Sequence, residues 1–268
     1  MSTTYKAGFT IIETMLFLAI TGLLIAAMLV GVGTSINNQR YRDSVTSFQS
    51  FLQSQYSSIS NVQNDRDNSW KCDSSATSSQ MGALQNRGQS DCVLLGRYIT
   101  IVGGDTTVAT VLGYQTATAS GTDIANLKAS YTLGLSAINQ QTDGLAWGTV
   151  IAWPVSGQGF QKPTTPRSIA ILIVRSPDSG SIYTFTSDMP PKLIANVKNK
   201  DLQAMLVTGT GLPPSQEPRT LCIDAQGLQG LVASNNSAVY MHAYANGPTS
   251  IETRSNDIAA SVGATSRC

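Results

Sequence analysis

The residues of this chain that could take part in chemistry are few and widely separated. The sequence contains one histidine, His242, and four cysteines, none of which forms a C-x-x-C pair. A zinc site or a His-based catalytic network needs several such side chains together, so neither is indicated. The segment Asp65-Arg66-Asp67-Asn68 resembles part of a calcium loop but lacks its glycine and distal glutamate. We therefore expect no metal, no cofactor and no enzymatic activity.

One carboxylate, Glu13, lies in an unusual position. It directly precedes residues 14–39, which contain no ionisable side chain. This stretch is longer than the roughly 20 residues that cross a bilayer as a helix. A carboxylate inside the apolar phase costs on the order of 2–3 kcal/mol. Glu13 therefore either lies at the membrane boundary, where the cost is small, or meets a partner that offsets the cost.

Three kinds of apolar segment fit this pattern. The first is a cleaved secretory signal with Lys6 as its basic region, although its apolar part is long and small residues for cleavage occur only near Gly31 and Gly33. The second is a plain signal anchor. The third is a stem that is processed before the apolar run begins. A plain anchor gives no reason to keep the carboxylate of Glu13.

The residues Gly8-Phe9-Thr10-Ile11-Ile12-Glu13 and the apolar run after them resemble the class III leader of type IV pilins and pseudopilins. The resemblance covers residues 7–32. It implies that a prepilin peptidase cleaves between Gly8 and Phe9 and that the new Phe9 amine is N-methylated. It also implies that Glu13 neutralises the Phe9 amine of a neighbouring subunit in a filament. Many pilins have a proline midway along this helix, where this chain has Gly31 and Gly33.

The periodicity of the sequence continues beyond the apolar part. From residue 34, apolar side chains recur at three- and four-residue steps, which predicts an amphipathic helix to about residue 61. These side chains are Tyr41, Val45, Phe48, Leu52, Tyr56, Ile59 and Val62. We divide the chain into a leader (1–8), a transmembrane and filament-core helix (9–33), an amphipathic helix (34–62) and an extracytoplasmic globular domain (63–268).

All four cysteines follow the apolar segment, which indicates two disulfides in an oxidising compartment. Three pairings are allowed. Proximity in the sequence favours Cys72–Cys92 and Cys222–Cys268. Pilins often close a C-terminal loop with a disulfide, so the resemblance implies the second pair as well. Charged residues make up only 12% of the chain, about half the usual share, which suits an extracytoplasmic surface.

Short β-type runs separated by turn residues follow from residue 97. Segment 169–174 is apolar on both faces and should be a central strand, joined by a hairpin turn to 182–186. A second hairpin turn is predicted at residues 224–227 and a short helix at 193–200. Surface loops are predicted at 69–91, 116–141 and 156–167. The remaining predicted strands are 97–102, 108–114, 146–153, 204–207, 220–223, 228–233 and 238–243.

These patterns together predict an α+β protein in which a long N-terminal helix packs on an antiparallel β-rich domain, as in pilins. The function we expect is that of a minor pilin or pseudopilin in a type IV pilus or type II secretion-like filament. Its expected partners are other pilins, prepilin peptidase, the inner-membrane assembly platform and the membrane. The alternative is a membrane-anchored binding module, an adhesin or DNA receptor. A net charge of +1 provides no overall attraction for nucleic acid.

Overall fold

A computed structural model describes residues 10–61, 70–80, 90–156, 166–188, 191–207, 216–228, 237–255 and 266–268. The proposed leader, Gly8 and Phe9 lie outside these residues, as does the segment that resembles a calcium loop. We call the part of the chain that follows residue 61 the head.

A single helix, α1, runs from Ile11 to Ser60 without interruption. At about 1.5 Å per residue its 50 residues extend over about 75 Å. The helix continues through Gly31 and Gly33, so these glycines do not break it. Its second half buries the predicted apolar stripe against the head. The buried members of that stripe are Tyr41, Val45, Phe48, Leu52, Tyr56 and Ile59.

The larger sheet of the head contains strands β3 (Cys92–Val102), β4 (Asp105–Gln115), β5 (Tyr131–Leu135), β6 (Gln141–Gly144), β9 (Ser168–Arg175) and β10 (Ile182–Ser187). It is antiparallel, with strand order β10-β9-β3-β4-β5 and with β6 beside β4. Six residues in the middle of β9 are buried on both faces, which confirms the predicted central strand. The predicted hairpin is also confirmed, since β9 and β10 pair from Arg175 and Ile182 onward.

A second antiparallel sheet contains strands β7 (Val150–Ala152), β11 (Arg219–Asp224), β12 (Ser237–Met241) and β13 (Ile251–Ser255). Their order in the sheet is β13-β12-β11-β7. Two short pairs complete the described strands. They are β1 (Trp70–Cys72) with β2 (Ser78–Gln80), and β8 (Val155–Ser156) with β14 (Ser266–Arg267).

The larger sheet is covered on both faces. One face joins α1 and the second sheet in a single apolar cluster, in which Leu52 and Tyr56 of the helix meet Ile171 and Val239 of the two sheets. The other face packs on helices α2 (Asp123–Ala129) and α3 (Asn199–Met205). The second half of α1 is therefore part of the core of the head, and the α+β architecture is confirmed.

Glycine is required where the backbone of β3 meets β9. A β-bulge lies between Leu94 and Gly96 in the pairing of β3 with β4. A Cβ atom on Gly96 would lie 1.9 Å from the carbonyl oxygen of Ile173 on β9. Only glycine lets the two strands approach this closely at the bulge.

Several predicted segments differ from the structure. The segment 204–207 is not a strand, because Met205 ends helix α3. The segment 116–141 is not a loop, since it contains α2 and β5. Residues 224–227 do not form a tight hairpin turn. Strands β11 and β12 do pair, but Asp224 ends the first and Ser237 begins the second, so a longer connection joins them.

Other differences are smaller. The loop predicted at 69–91 contains the β1–β2 pair. The strand predicted at 146–153 begins with a 3₁₀ turn, Ala146–Gly148, before β7. The helix predicted at 193–200 is a 3₁₀ turn, Ile194–Asn196, followed by α3. Leu228 lies in a 3₁₀ turn, and the rest of the strand predicted at 228–233 lies outside the described residues.

Candidate membrane and assembly segment

The first turn of α1 fixes the position of the Glu13 carboxylate. Thr10 is the N-cap, and its hydroxyl oxygen accepts a hydrogen bond from the Glu13 backbone N–H at 3.3 Å. In return Glu13 Oε2 accepts from the Thr10 backbone N–H at 3.3 Å and from its hydroxyl at 3.2 Å. This reciprocal capping box satisfies two backbone donors, and a negative charge here is favoured by the helix dipole. Glu13 therefore has local partners within the single chain.

The first half of α1 presents an apolar surface with no cover. From Ile11 to Val32 every large apolar side chain is exposed over at least about half of its surface, from Ile20 at 52% to Ile12 at 77%. This half is long and apolar enough to cross a membrane. A contiguous exposed apolar surface of this size marks a segment that contacts a membrane or another protein.

Hydroxyl groups within the apolar half are satisfied by the helix itself. Thr14 donates to the carbonyl oxygen of Ile11 at 2.9 Å and Thr21 to that of Phe17 at 2.8 Å. Thr34 donates to the carbonyl oxygen of Gly31 at 2.7 Å. Because a lipid environment supplies no hydrogen bonds, these contacts make the threonines compatible with a membrane. Glu13 is the one ionisable side chain between Thr10 and Gln39.

The second half of α1 is attached to the head by buried hydroxyl groups. The Tyr41 hydroxyl donates to the carbonyl oxygen of Ile223 at 2.9 Å and accepts from the Ser237 N–H at 2.8 Å. The Tyr56 and Thr184 hydroxyls are 2.8 Å apart. Since these contacts reach both sheets, α1 and the head form one unit, and a force or constraint on the apolar half is transmitted to the head.

Two glutamines of α1 cover the start of an edge strand. The side-chain amides of Gln49 and Gln53 donate to the carbonyl oxygen of Ile251 at 3.2 Å and 3.0 Å. Ile251 begins β13, at the edge of the second sheet. An uncovered edge is a site of unwanted strand pairing. The helix protects this end of the edge.

The buried tyrosines predict an alkaline transition of the head. Burial raises the pKa of Tyr41 to about 12, and it raises the pKa of Tyr56 to about 12. Both pKa values lie above the unfolded value near 10. The protonated tyrosines therefore contribute fully to the free energy of unfolding below about pH 10, and this contribution is lost as the pH rises to about 12. Each tyrosine should account for about 2–3 kcal/mol of the loss.

Urea unfolding of the detergent-solubilised chain at pH 8, 10 and 11.5 measures this effect. The free energy of unfolding should be similar at the first two values and should fall by pH 11.5. Tyr56→Phe, which removes one of these ionisations, should show a shallower fall above pH 10. An equally steep fall in this variant would contradict the role of Tyr56.

A buried ion cluster connects the two sheets. Arg167 Nη2 lies 2.6 Å from Asp188 Oδ1, and Arg219 Nη1 lies 3.4 Å from Asp188 Oδ2. Arg167 also donates to the carbonyl oxygen of Thr220 at 2.8 Å, and its guanidinium lies 4.5 Å from the centre of the Trp153 ring. Burial lowers the pKa of Arg167, and the charge of Asp188 opposes this shift. The cluster holds the larger sheet against β11.

The structure contains two disulfides, Cys72–Cys92 and Cys222–Cys268, the pairing that sequence proximity favours. The first joins the β1–β2 pair to the start of β3, and the second joins β11 to the last residue of the given sequence. His242 is 44% exposed and its Nε2 lies 3.5 Å from the Glu252 carboxylate. Over the described ranges, no group of three His, Cys, Asp or Glu side chains is arranged to hold a metal ion.

The sequence did not indicate every notable contact. The ion cluster joins residues from three distant segments, and no local pattern distinguishes them from scattered surface charges. Trp147 lies beside α1 in a left-handed backbone conformation, and a glycine after it is the only local sign of that turn. Comparison with protein-family models, with curated proteins and with solved structures finds no match to this chain.

Proposed function

We propose that this chain is a structural subunit, a minor pilin or pseudopilin, of a type IV pilus or type II secretion-like filament. The observation that carries the proposal is the division of α1 into two halves. One half is apolar, exposed and headed by the capped carboxylate of Glu13, whereas the other is built into the core of the head. A secreted enzyme or a simple anchored domain does not need this arrangement.

The chain would first be held in the inner membrane by the apolar half of α1, with the head on the extracytoplasmic side. The two disulfides support an oxidising location for the head. Prepilin peptidase would cleave between Gly8 and Phe9, and the Phe9 amine would be methylated. An inner-membrane assembly platform would then move the processed chain into a filament whose core consists of the apolar helices of many subunits.

Glu13 would guide this assembly through a charge pair. In a core of packed apolar helices, an ammonium and a carboxylate stabilise each other, while either one alone is costly. The contacts of Glu13 with Thr10 are 3.2–3.3 Å long and lie on an exposed surface. Exposed hydrogen bonds of this kind contribute only about 0.5–1.5 kcal/mol each, so a Phe9 ammonium from a neighbouring subunit could replace them. The pair would set the axial register of the subunits.

Gly8→Val tests the processing step. We expect most of the chain to accumulate as a membrane-bound precursor that retains the leader, because the resemblance places Gly8 directly before the cleaved bond. An immunoblot that separates precursor from processed chain measures this. Gly22→Ala is a matched control, since a Cβ atom at Gly22 meets nothing within 4 Å. Normal processing of Gly8→Val would contradict the assigned cleavage site.

A further inference from the structure

Four side chains form a mixed apolar and basic surface where α1 enters the head, which we call the juxtamembrane face. They are Ile36, Arg40, Arg42 and Trp147, which border one shallow depression. Trp147 is 50% exposed and Ile36 is 42% exposed, and both arginines are exposed. The Arg40 guanidinium lies 5.0 Å from the centre of the Trp147 ring.

The indole of Trp147 is held in place at this surface. Its Nε1–H donates to Asp43 Oδ2 at 2.7 Å. The backbone of Trp147 has φ 60° and ψ 23°, a left-handed conformation that side-chain-bearing residues rarely adopt, and Gly148 follows with φ 69°. The turn and the bond to Asp43 therefore hold in place a large aromatic ring that is half exposed, and backbone strain of this kind is a starting point for a functional hypothesis.

The position of the face along α1 matches the surface of a bilayer. If the apolar core begins near Met15, about 20 residues cross its roughly 30 Å and end near Thr34. Arg40 lies six residues further, a rise of about 9 Å, and the polar headgroup layer is about 5–8 Å thick. Helical side chains lean toward the helix N-terminus, which here means toward the bilayer. Arg40 and Arg42 can therefore reach the phosphate layer.

The chemistry of the face also matches this layer. Tryptophan is enriched at the membrane interface, where the ring is apolar and the N–H is polar. Arginine extends its apolar stem along such a surface and places its charge at the headgroups. Asp43 is the one acidic residue that lines the depression, so two positive guanidinium groups against one carboxylate leave a net positive charge that complements phosphate.

We propose that the juxtamembrane face docks on the phospholipid headgroups of the membrane, with Arg40 and Arg42 at the phosphates and the Trp147 indole beside them at the outer edge of the headgroup layer. Because α1 and the head form one unit, this contact sets the height and tilt of the head before assembly. The inference rests on the membrane insertion proposed above but not on filament formation. A second copy of the chain is the competing occupant.

Fluorescence quenching in lipid vesicles tests the contact. The full chain is reconstituted at low density in vesicles containing phosphatidylglycerol and a phospholipid that carries a quencher on its headgroup. The chain has three tryptophans, Trp70, Trp147 and Trp153. We expect clear quenching of tryptophan fluorescence in the original chain. Trp147→Phe should lose at least about half of this quenching, whereas Trp153→Phe should retain it. Equal quenching in Trp147→Phe and the original chain would overturn the proposal.

Two further measurements separate the competing explanations. A double variant with Arg40→Gln and Arg42→Gln should show weaker quenching. A double variant with Arg40→Lys and Arg42→Lys keeps both positive charges and should retain most of the quenching. Flotation of the vesicles measures membrane insertion independently of quenching. A chain that does not float with the vesicles contradicts the proposed membrane segment. A chain that floats but is not quenched contradicts only the docking of the juxtamembrane face. Quenching at Trp147 that changes with the number of copies per vesicle would assign the face to a second copy and overturn the lipid contact.

Discussion

Glu13→Val should leave the chain inserted in the membrane but nearly abolish its incorporation into filaments. Removal of the carboxylate does not make the apolar half of α1 less favourable in lipid, so insertion should not suffer. In the filament core the variant would leave a Phe9 ammonium without its partner. Breaking a buried pair in this way costs about 3–5 kcal/mol, which corresponds to a decrease in incorporation of about a hundredfold or more.

The measurement compares the amount of chain in the membrane fraction with the amount in sheared filaments. Thr10→Val is the informative control, because it removes the side-chain contacts of the capping box but keeps the carboxylate. It should lose about 1 kcal/mol of helix stability and still assemble. If the Glu13→Val chain assembles as well as the Thr10→Val chain, the pairing role of Glu13 is contradicted. That result would favour the anchored adhesin or DNA receptor, in which Glu13 is dispensable.

Asp188→Ala should destabilise the head far more than the replacement of an exposed charged side chain. The carboxylate is 13% exposed and lies between the guanidinium groups of Arg167 and Arg219. Its loss removes the one carboxylate that the described residues pair with the Arg167 guanidinium, which is 3% exposed. Breaking a buried ion pair by removal of one partner typically lowers the free energy of unfolding by about 3–5 kcal/mol.

Urea unfolding of the full chain in detergent, followed by circular dichroism, measures this loss. Asp105→Ala is the matched control, since Asp105 is an exposed residue at the start of β4 and should change stability by less than about 0.5 kcal/mol. Asp188→Asn keeps hydrogen-bonding capacity without the charge, so its free energy of unfolding should lie between those of Asp188→Ala and Asp105→Ala. Equal midpoints for Asp188→Ala and Asp105→Ala would show that the cluster does not hold the sheets together.

The features that could be predicted from the sequence are those with a strong local signal. Helix α1 was predictable because an uninterrupted apolar run continues as a stripe that includes Tyr41, Leu52 and Tyr56. Strand β9 was predictable because it is apolar at every position from Ile169 to Val174. The β9–β10 hairpin was predictable because Pro177, Asp178 and Gly180 lie between two β-type runs.

Weak or ambiguous local signals produced the errors. The short apolar run 204–207 reads as a strand, but a run of this length does not distinguish a strand from the end of a helix. Helix α2 and strand β5 lie in 116–141, which is rich in small and polar residues. Their buried side chains, Leu127 and Leu133, face the core formed by the larger sheet. Tertiary packing therefore determines their structure, and single-sequence periodicity does not contain this information.

The candidate site divides in a similar way. Glu13 stood out because its position before an apolar run is unfavourable without a partner, and the structure places it in the first turn of α1. The processing of Gly8 and Phe9 and the pairing of Glu13 with a neighbour stay predictions. Trp147 and the Arg167–Asp188–Arg219 cluster depend on contacts between distant segments, so only the folded chain reveals them.

The N-terminus of the mature chain tests the central claim most directly. Mass spectrometry of the N-terminal peptide from chain isolated from native membranes or filaments identifies both the first residue and its modification. We expect the peptide to begin at Phe9 and to carry a methyl group on the amine, with Glu13 as its fifth residue. A mature chain that begins before Phe9, or one that begins beyond Gly31, would contradict the assignment to a pilin-like filament.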